Sequence, residues 1–204
     1  MQRIAIIDYG MGNVRSVQKA IELVSPDDEV LLTHDKTYIE NSDRVVFPGQ
    51  GAIGSCMKVL NEMDLTNSIK QAASEKPFLG ICLGLQMLFD WSEENGGTNG
   101  LSIFNGTVNH FQADELKVPH MGWNTVRQTK EHILWEGIKD NARFYSVHSY
   151  YANPLSDLEV GSTNYGIDFC SAAAKDNIFA VQFHPEKSQR DGLKLLENFT
   201  NWIQ

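Results

Sequence analysis

The sequence predicts an α/β fold in which an open, mostly parallel sheet carries helices on both faces, so that the molecule has three layers. In the first third of the chain, short apolar runs alternate with helical patterns, starting with a run at 3–8 and a helical pattern at 14–24. Such alternation is typical of parallel strands joined by crossover helices. After 95–97 the pattern changes to shorter strand-like pieces, which predict a mixed or antiparallel extension of the sheet.

The apolar periodicity defines the individual elements in order. The strands predicted for the parallel part cover 3–8, 30–33, 44–47 and 78–81, and its helices cover 14–24, 65–74 and 83–93. The strands predicted for the extension cover 106–111, 123–127, 144–151, 160–165, 172–175 and 178–183. A final amphipathic helix is predicted over 189–203, where apolar residues recur at helical spacing.

Length and composition indicate a single domain spanning residues 1–204. The formal net charge is −9 and the Lys and Arg residues are scattered, which argues against a nucleic-acid partner. Neither a signal peptide nor an apolar stretch of membrane-spanning length is present, so we expect no membrane partner. Three cysteines without a C-x-x-C pair predict neither a disulfide framework nor a metal site, which fits a reducing cytoplasm.

The most informative segment is a cysteine held between two glycines. Cys82 follows an apolar run and precedes a helical pattern, with Gly80 and Gly84 two residues to either side. Glycines at this spacing allow a sharp turn and a close approach of another chain segment, which predicts a strand-to-helix elbow that presents the thiol. The positive end of the following helix favours the reactive thiolate. The alternative is a buried cysteine that only packs.

A cysteine nucleophile needs a base and a group that orients the base. His184 follows the apolar run 178–183, and Glu186 lies two residues further on. Alternate residues of an extended chain project to the same side, so the Glu186 carboxylate is expected to accept a hydrogen bond from the His184 ring. The alternative is a strand end that carries a surface histidine and glutamate.

Acyl transfer also needs donors for the oxyanion that develops on the substrate carbonyl. Gly49 and Gly51 follow a predicted strand whose carboxyl end should lie on the same edge of the sheet as Cys82. Their backbone N–H groups, with that of Leu83, are candidate donors, and a plain structural turn is the alternative. Gln86 lies one helical turn after Cys82 and is a candidate to brace the oxyanion segment or the substrate. Glu94, at the end of the predicted helix, is a candidate to bind a substrate ammonium group.

Residues 80–86 together with 184–186 resemble the nucleophile elbow and base of the class I, or triad, glutamine amidotransferases. Within that superfamily, the segments 119–124, 147–150 and 183–188 are similar to those of the glutaminase subunits of imidazole glycerol phosphate synthase. The resemblance covers essentially the whole chain. It implies that Cys82 attacks the side-chain amide of L-glutamine through a thioester, while His184 transfers protons and Glu186 orients it. It also implies no cofactor.

The same resemblance implies a heterodimer with a cyclase subunit, a (β/α)8 barrel that uses the released ammonia. Asn13, Tyr145 and Lys187 match family positions that face this partner, and Met121 and Trp123 are expected to line the route between the two sites. Exposed aromatic residues of this kind suit an interface better than solvent. The segments that hold the backbone groups of glutamine in the family correspond here to Glu94, Ser149 and Tyr150.

One position departs from the family pattern. Gln50 lies between Gly49 and Gly51, where the family commonly has valine. The backbone donors survive this change, and we expect the free chain to be nearly inactive until the partner reorients the segment. Two rival hypotheses are a glutaminase subunit of another synthase and a catalytically silent interaction module.

Overall fold

The computed structural model describes residues 1–112, 117–155 and 157–203. In chain order, the strands and helices of the described residues are β1 (Arg3–Ile7), α1 (Val14–Val24), β2 (Glu29–Thr33), α2 (Lys36–Glu40), β3 (Arg44–Gly49), α3 (Ile53–Glu62), α4 (Thr66–Glu75), β4 (Phe78–Cys82), α5 (Leu83–Met87), β5 (Phe89–Ser92), β6 (Thr98–Asn99), β7 (Phe104–His110), β8 (His120–Gln128), β9 (Ala142–His148), β10 (Tyr150–Pro154), β11 (Glu159–Tyr165), β12 (Ile167–Lys175), β13 (Ile178–Val181) and α6 (Gln189–Thr200).

One sheet runs through the molecule in the order β2-β1-β3-β4-β13-β12-β10-β7-β5-β6. Its first five strands are mutually parallel, and β12, β10 and β7 continue it in antiparallel pairs. Strands β11, β8 and β9 branch from β12 as a further antiparallel layer. The predicted parallel sheet with a mixed extension is therefore confirmed. Because β1, β3 and β4 are parallel neighbours, the turns that follow them lie at the same edge, as predicted.

Two apolar clusters cover the two faces of the parallel strands. One packs α3 and α4 against the sheet through residues such as Leu60, Ile69 and Phe78. The other packs α1 and α6 against the opposite face through residues such as Ile21, Leu196 and Phe199. Burial of these side chains removes both faces of the central strands from water, which is why their sequences are nearly continuous apolar runs.

The helix predicted over 83–93 is wrong beyond its first turn. Helix α5 ends at Met87, and Phe89–Ser92 forms strand β5, which pairs with β7 and β6. Leu88 and Phe89 are fully buried against the sheet core, and a short apolar run does not distinguish a buried strand from a buried helix.

The strand predicted over 144–151 is likewise two strands. The chain leaves β9 at His148, passes through Ser149, and enters β10 at Tyr150, where it pairs with β7 and β12 instead of β8. This break places Ser149 and Tyr150 on the wall of a cavity at the carboxyl edge of the parallel strands.

Within the described ranges, no helix is both long and apolar enough to cross a membrane.

A substitution at Gly84 can test how closely α5 packs against β3. A Cβ at Gly84 would overlap with the main-chain carbonyl oxygen of Phe47, which cannot move without disturbing β3. We expect Gly84→Ala to lower the free energy of unfolding by about 2–3 kcal/mol, the usual cost of overpacking against a fixed neighbour. Urea denaturation followed by circular dichroism measures the loss.

Gly54, in α3, provides the matched control. A Cβ there would lie 3.3 Å from Oγ1 of Thr98, a side-chain atom that can shift. Gly54→Ala should therefore leave stability unchanged or raise it by up to about 1 kcal/mol through helix propensity. Equal stability of the two variants would contradict the close packing of α5 on β3.

Candidate active site

Cys82 is the last residue of β4 and adopts a backbone conformation that is rare for a residue with a side chain. Its φ is 56° and its ψ is −110°, and α5 begins at the next residue. Such a conformation costs about 1–3 kcal/mol and persists only where the surroundings enforce it. They do so here, because Gly49 and Gly84 bring β3 within contact of the elbow. The turn thus aims a 7 % exposed thiol beyond the carboxyl ends of the strands.

The elbow opens into a cavity of about 320 Å³, within the usual range for small-molecule sites. The sequence-predicted residues on its wall are Gly51, Cys82, Leu83, Gln86, Glu94, Ser149, Tyr150, His184 and Lys187. Gln50 and His148 also line it. Gly49 and Glu186 lie behind this wall, where they line a void of about 10 Å³ together with Asn13 and His184. The fold therefore brings most of the predicted site residues together.

His184 and Glu186 form a buried pair. Nδ1 of His184 lies 2.9 Å from Oε1 of Glu186, and the two side chains are 8 % and 2 % exposed. The intervening backbone is not extended as expected: 185–187 form a single 3₁₀ turn that begins directly after His184. The Ser188 hydroxyl fixes this turn, because it donates to the His184 carbonyl at 2.6 Å and accepts from the Tyr145 N–H at 2.9 Å.

The charge on the His184 ring depends on its neighbours. Burial lowers its pKa, but hydrogen bonding and charge from Cys82, then from Glu186, more than offset this and raise the pKa to about 10. These contacts therefore favour the imidazolium form of the ring at neutral pH, the form that can donate a proton as a general acid. A thiolate beside an imidazolium is the arrangement of a cysteine nucleophile with its general acid.

The predicted oxyanion segment is held by two side chains that the sequence analysis did not select. The Tyr9 hydroxyl donates to the Pro48 carbonyl at 3.2 Å, and the Cys56 thiol donates to the Gln50 carbonyl at 3.5 Å. Burial, with further contributions from Cys56, raises the pKa of Tyr9 far above its ordinary value, so the hydroxyl remains a donor. Gly51 has a φ of 96°, a conformation that glycine adopts without strain.

Glu94 lies in a different setting from the one expected. The sequence predicts Glu94 at the end of a helix. In the structure it lies in a 3₁₀ turn, and its Oε2 accepts a hydrogen bond from the N–H of Ile53 at 2.8 Å. Ile53 is the first residue of α3, so the carboxylate caps that helix at its positive end. One carboxylate thus stabilises α3 and lines the cavity.

Two further histidines form a buried pair beside the site. His120 lies opposite His148 in the β8–β9 ladder, and Nδ1 of His120 is 3.0 Å from Nε2 of His148. Nδ1 of His148 is 2.8 Å from the Tyr150 carbonyl, which only accepts, so this nitrogen carries the proton. Nε2 of His148 must then accept from His120, whose own Nε2 accepts from the Asn124 amide at 3.2 Å. Both histidines are therefore neutral in this hydrogen-bonded series, and each carries its one ring proton on Nδ1.

The residues predicted to face a partner form an exposed patch next to the cavity. Trp123 and Tyr145 are opposite each other on β8 and β9, with ring centroids 6.2 Å apart in an edge-to-face arrangement. Nζ of Lys187 lies 5.9 Å from the Tyr145 ring centroid. Met121 is 59 % exposed and Trp123 39 % exposed. Asn13 is also exposed, at the turn after β1.

Among the described side chains, no group of three or more His, Cys, Asp or Glu is arranged to hold a metal ion.

The sequence and the fold are similar to those of known proteins. The sequence profile of the family described as "Glutamine amidotransferase class-I" matches residues 5–202. The imidazole glycerol phosphate synthase subunit HisH of Dechloromonas aromatica is 52 % identical, over 98 % of this chain and 97 % of that protein. The HisH subunit of Aromatoleum aromaticum is 54 % identical over 99 % of both chains. The solved structure described as PurLQS from Thermotoga maritima aligns with a TM-score of 0.77 at 16 % identity, covering 100 % of both chains, which shows a shared fold.

The buried histidine pair predicts a specific loss of stability in acid. Burial lowers the pKa of His148 to about 3; the nearby His120 and His184 add to this shift, and the hydrogen bond to the Tyr150 carbonyl opposes it by raising the pKa. The unfolded chain, with an ordinary histidine pKa, binds a proton that the folded chain excludes. This contribution to stability is therefore complete above about pH 6.5 and declines as the pH falls toward 3.

In His148→Gln the decline should be shallower by about 1.4 kcal/mol per pH unit, the effect of one proton. Urea denaturation of both proteins at a series of pH values measures the two slopes. Parallel curves for wild type and His148→Gln would show that His148 is not held neutral by the fold.

Proposed function

Because the chain belongs to the class-I glutamine amidotransferase family, and within it to the HisH subunits of imidazole glycerol phosphate synthase, we propose that it is the glutaminase of that synthase in histidine biosynthesis. It hydrolyses L-glutamine and passes the ammonia to a cyclase subunit. The observation that carries this proposal is that Cys82 and His184 line one cavity, with the thiol on a strained elbow and the imidazole paired to the buried carboxylate of Glu186 behind the cavity wall.

The chemistry follows from these positions. The Cys82 thiolate attacks the side-chain carbonyl carbon of glutamine and forms a carbon–sulfur bond, and the carbonyl electrons move to oxygen. Backbone N–H groups of Gly49, Gly51 and Leu83 stabilise this oxyanion. His184 gives its proton to the amide nitrogen, the carbon–nitrogen bond breaks, and ammonia leaves. Water then gives a proton to His184 and attacks the thioester, and the carbon–sulfur bond breaks to release glutamate and restore the thiolate.

The substrate is held by the walls of the cavity. Glu94, which caps α3, presents a carboxylate for the substrate ammonium group, and the break between β9 and β10 presents Ser149 and Tyr150 for the other backbone groups. Gln86 acts on these walls and not on the oxyanion segment, because its amide N–H groups donate to the Tyr150 carbonyl and to Gln182 at 3.0 Å each.

The partner is a (β/α)8 barrel cyclase, which covers the exposed patch. Met121, Trp123, Tyr145 and Lys187 make this patch apolar and aromatic with a cationic rim, a composition typical of interfaces. Asn13 extends this patch to the turn that follows β1. That turn lies close to Gln50, because a Cβ added at Gly12, the residue before Asn13, would be 3.4 Å from the Cβ of Gln50. Partner binding at this turn thus reaches the oxyanion segment directly, and we propose that it activates the glutaminase. The chain works as one domain in the cytoplasm without a cofactor.

The experiment measures glutamate formation and imidazole product with and without the barrel cyclase. The complex should hydrolyse glutamine at least about 100-fold faster than the free chain, the gain expected from one well-placed oxyanion donor. Cys82→Ser should abolish use of glutamine but leave the complex able to use ammonium salts, because only ammonia production requires the nucleophile.

Cys170→Ser is the control for Cys82→Ser, since Cys170 is a buried thiol of β12 outside the cavity. It should retain glutamine-dependent synthesis. Glutamine-dependent synthesis by Cys82→Ser would rule out the assigned nucleophile. Equal glutamine turnover with and without the cyclase would contradict activation by the partner and would favour a different synthase. Failure of a glutamine-analogue electrophile to label Cys82 would favour a silent module.

A further inference from the structure

Gln182 is a fully buried polar side chain in contact with the reactive thiol. It follows β13 directly, and its exposure is 0 %. Its Nε2 lies 3.8 Å from Sγ of Cys82 with hydrogen-bonding geometry. A buried amide must satisfy both its donor and its acceptor, so the identity of its partners determines its orientation.

A chain of hydrogen bonds fixes which end of this amide faces the sulfur. The main-chain carbonyl of Tyr150 only accepts, so the group of Gln86 that lies 3.0 Å from it is the NH₂ group. The same NH₂ group is 3.0 Å from Gln182 and therefore meets its acceptor, Oε1. The Nε2 group of Gln182 is left to face Cys82. The orientation thus follows from a backbone carbonyl and does not depend on a choice of amide flip.

The Tyr150 carbonyl is itself held in place. It accepts from Nδ1 of His148 at 2.8 Å as well as from Gln86, and both donors are buried. The amide of Gln182 is therefore preorganised toward the sulfur before any substrate binds, which is the condition under which a donor stabilises charge most effectively.

We propose that Gln182 is a further catalytic residue that donates a hydrogen bond to the Cys82 sulfur and stabilises the thiolate. It acts twice: on the thiolate before attack, and on the sulfur that receives the electron pair when the carbon–sulfur bond of the thioester breaks. The inference rests on the proposed function, because the contact matters for turnover only if Cys82 is the nucleophile. Among the described residues, the other ionisable side chains of the cavity wall are His148, His184, Glu94, Tyr150 and Lys187, with Tyr9 and Glu186 beside it. None of them is altered in the test.

The test replaces Gln182 by Met, which keeps the length of the side chain and removes the donor. The same change at Gln71, an exposed residue of α4, is the matched control. Ultraviolet thiolate absorbance, taken as the difference from the corresponding Cys82→Ser protein, gives the fraction of Cys82 that is ionised at each pH. Steady-state assays of the complex with its cyclase give kcat and KM for glutamine.

On the acid limb of the titration, Gln182→Met should have about tenfold less thiolate than wild type, as expected for loss of one hydrogen bond to a charged group. The kcat for glutamine should fall by about tenfold with KM within about twofold, because the lost contact is to the nucleophile. Gln71→Met should match wild type in both measurements. A thiolate fraction in folded Gln182→Met equal to that of wild type would overturn the proposal.

A second measurement on the wild-type protein covers the case in which Gln182→Met does not fold. The side-chain NH₂ resonances of Gln182, followed by nuclear magnetic resonance in ¹⁵N-labelled protein, should shift together with the thiolate absorbance. Resonances that do not respond to ionisation of Cys82 would also overturn the proposal. Both physical readouts are independent of glutaminase activity, so a protein with the thiolate effect but no glutamine turnover would refute the proposed function and leave the contact established.

Discussion

The close approach of β3 to the β4–α5 elbow is the constraint on which the site depends. Cys82 can hold a φ of 56° because Gly49 and Gly84 leave no room for a relaxed turn between the two strands. The energy stored in that conformation is a few kcal/mol and is offset by the buried sheet around it. The same glycines place the oxyanion segment, the thiol and the first turn of α5 at one edge of the parallel sheet.

Three histidines close to this edge show how neighbours decide protonation. His184 is paired with a buried carboxylate and a thiol, and it is held as a cation. His148 is more deeply confined and bonds only to a backbone carbonyl and to His120, so it is held neutral. The cation serves proton transfer, while the neutral pair fixes the carbonyl that orients Gln86 and Gln182. Burial alone would have made all three neutral, and the contacts of His184 with Cys82 and then with Glu186 are what separate the two roles.

Much of this arrangement can be predicted from the sequence, and the failures have physical causes. The parallel sheet and its shared edge follow from alternating patterns and glycine turns, which are local signals. The error over 83–93 arose because Phe89 pairs with Phe104 across the sheet, a contact invisible in the local pattern. Helix α3 was missed although Ile53, Cys56, Met57 and Leu60 carry helical spacing. The interactions of Gln182 and His120 depend on strand register and on amide orientation, which only the folded chain reveals.

Cys82 and Glu186 together hold the His184 ring as an imidazolium beside the thiol, and the protonation of this ring tests the arrangement most directly. Nuclear magnetic resonance of the ¹⁵N-labelled His184 imidazole, assigned with a His184→Asn variant, reports the proton on each nitrogen as a function of pH. We expect the ring to stay doubly protonated through neutral pH and to titrate only near a pH of about 10, with a lower midpoint in Cys82→Ala. A ring that titrates near the ordinary histidine value of about 6.5, unchanged by Cys82→Ala, would contradict it.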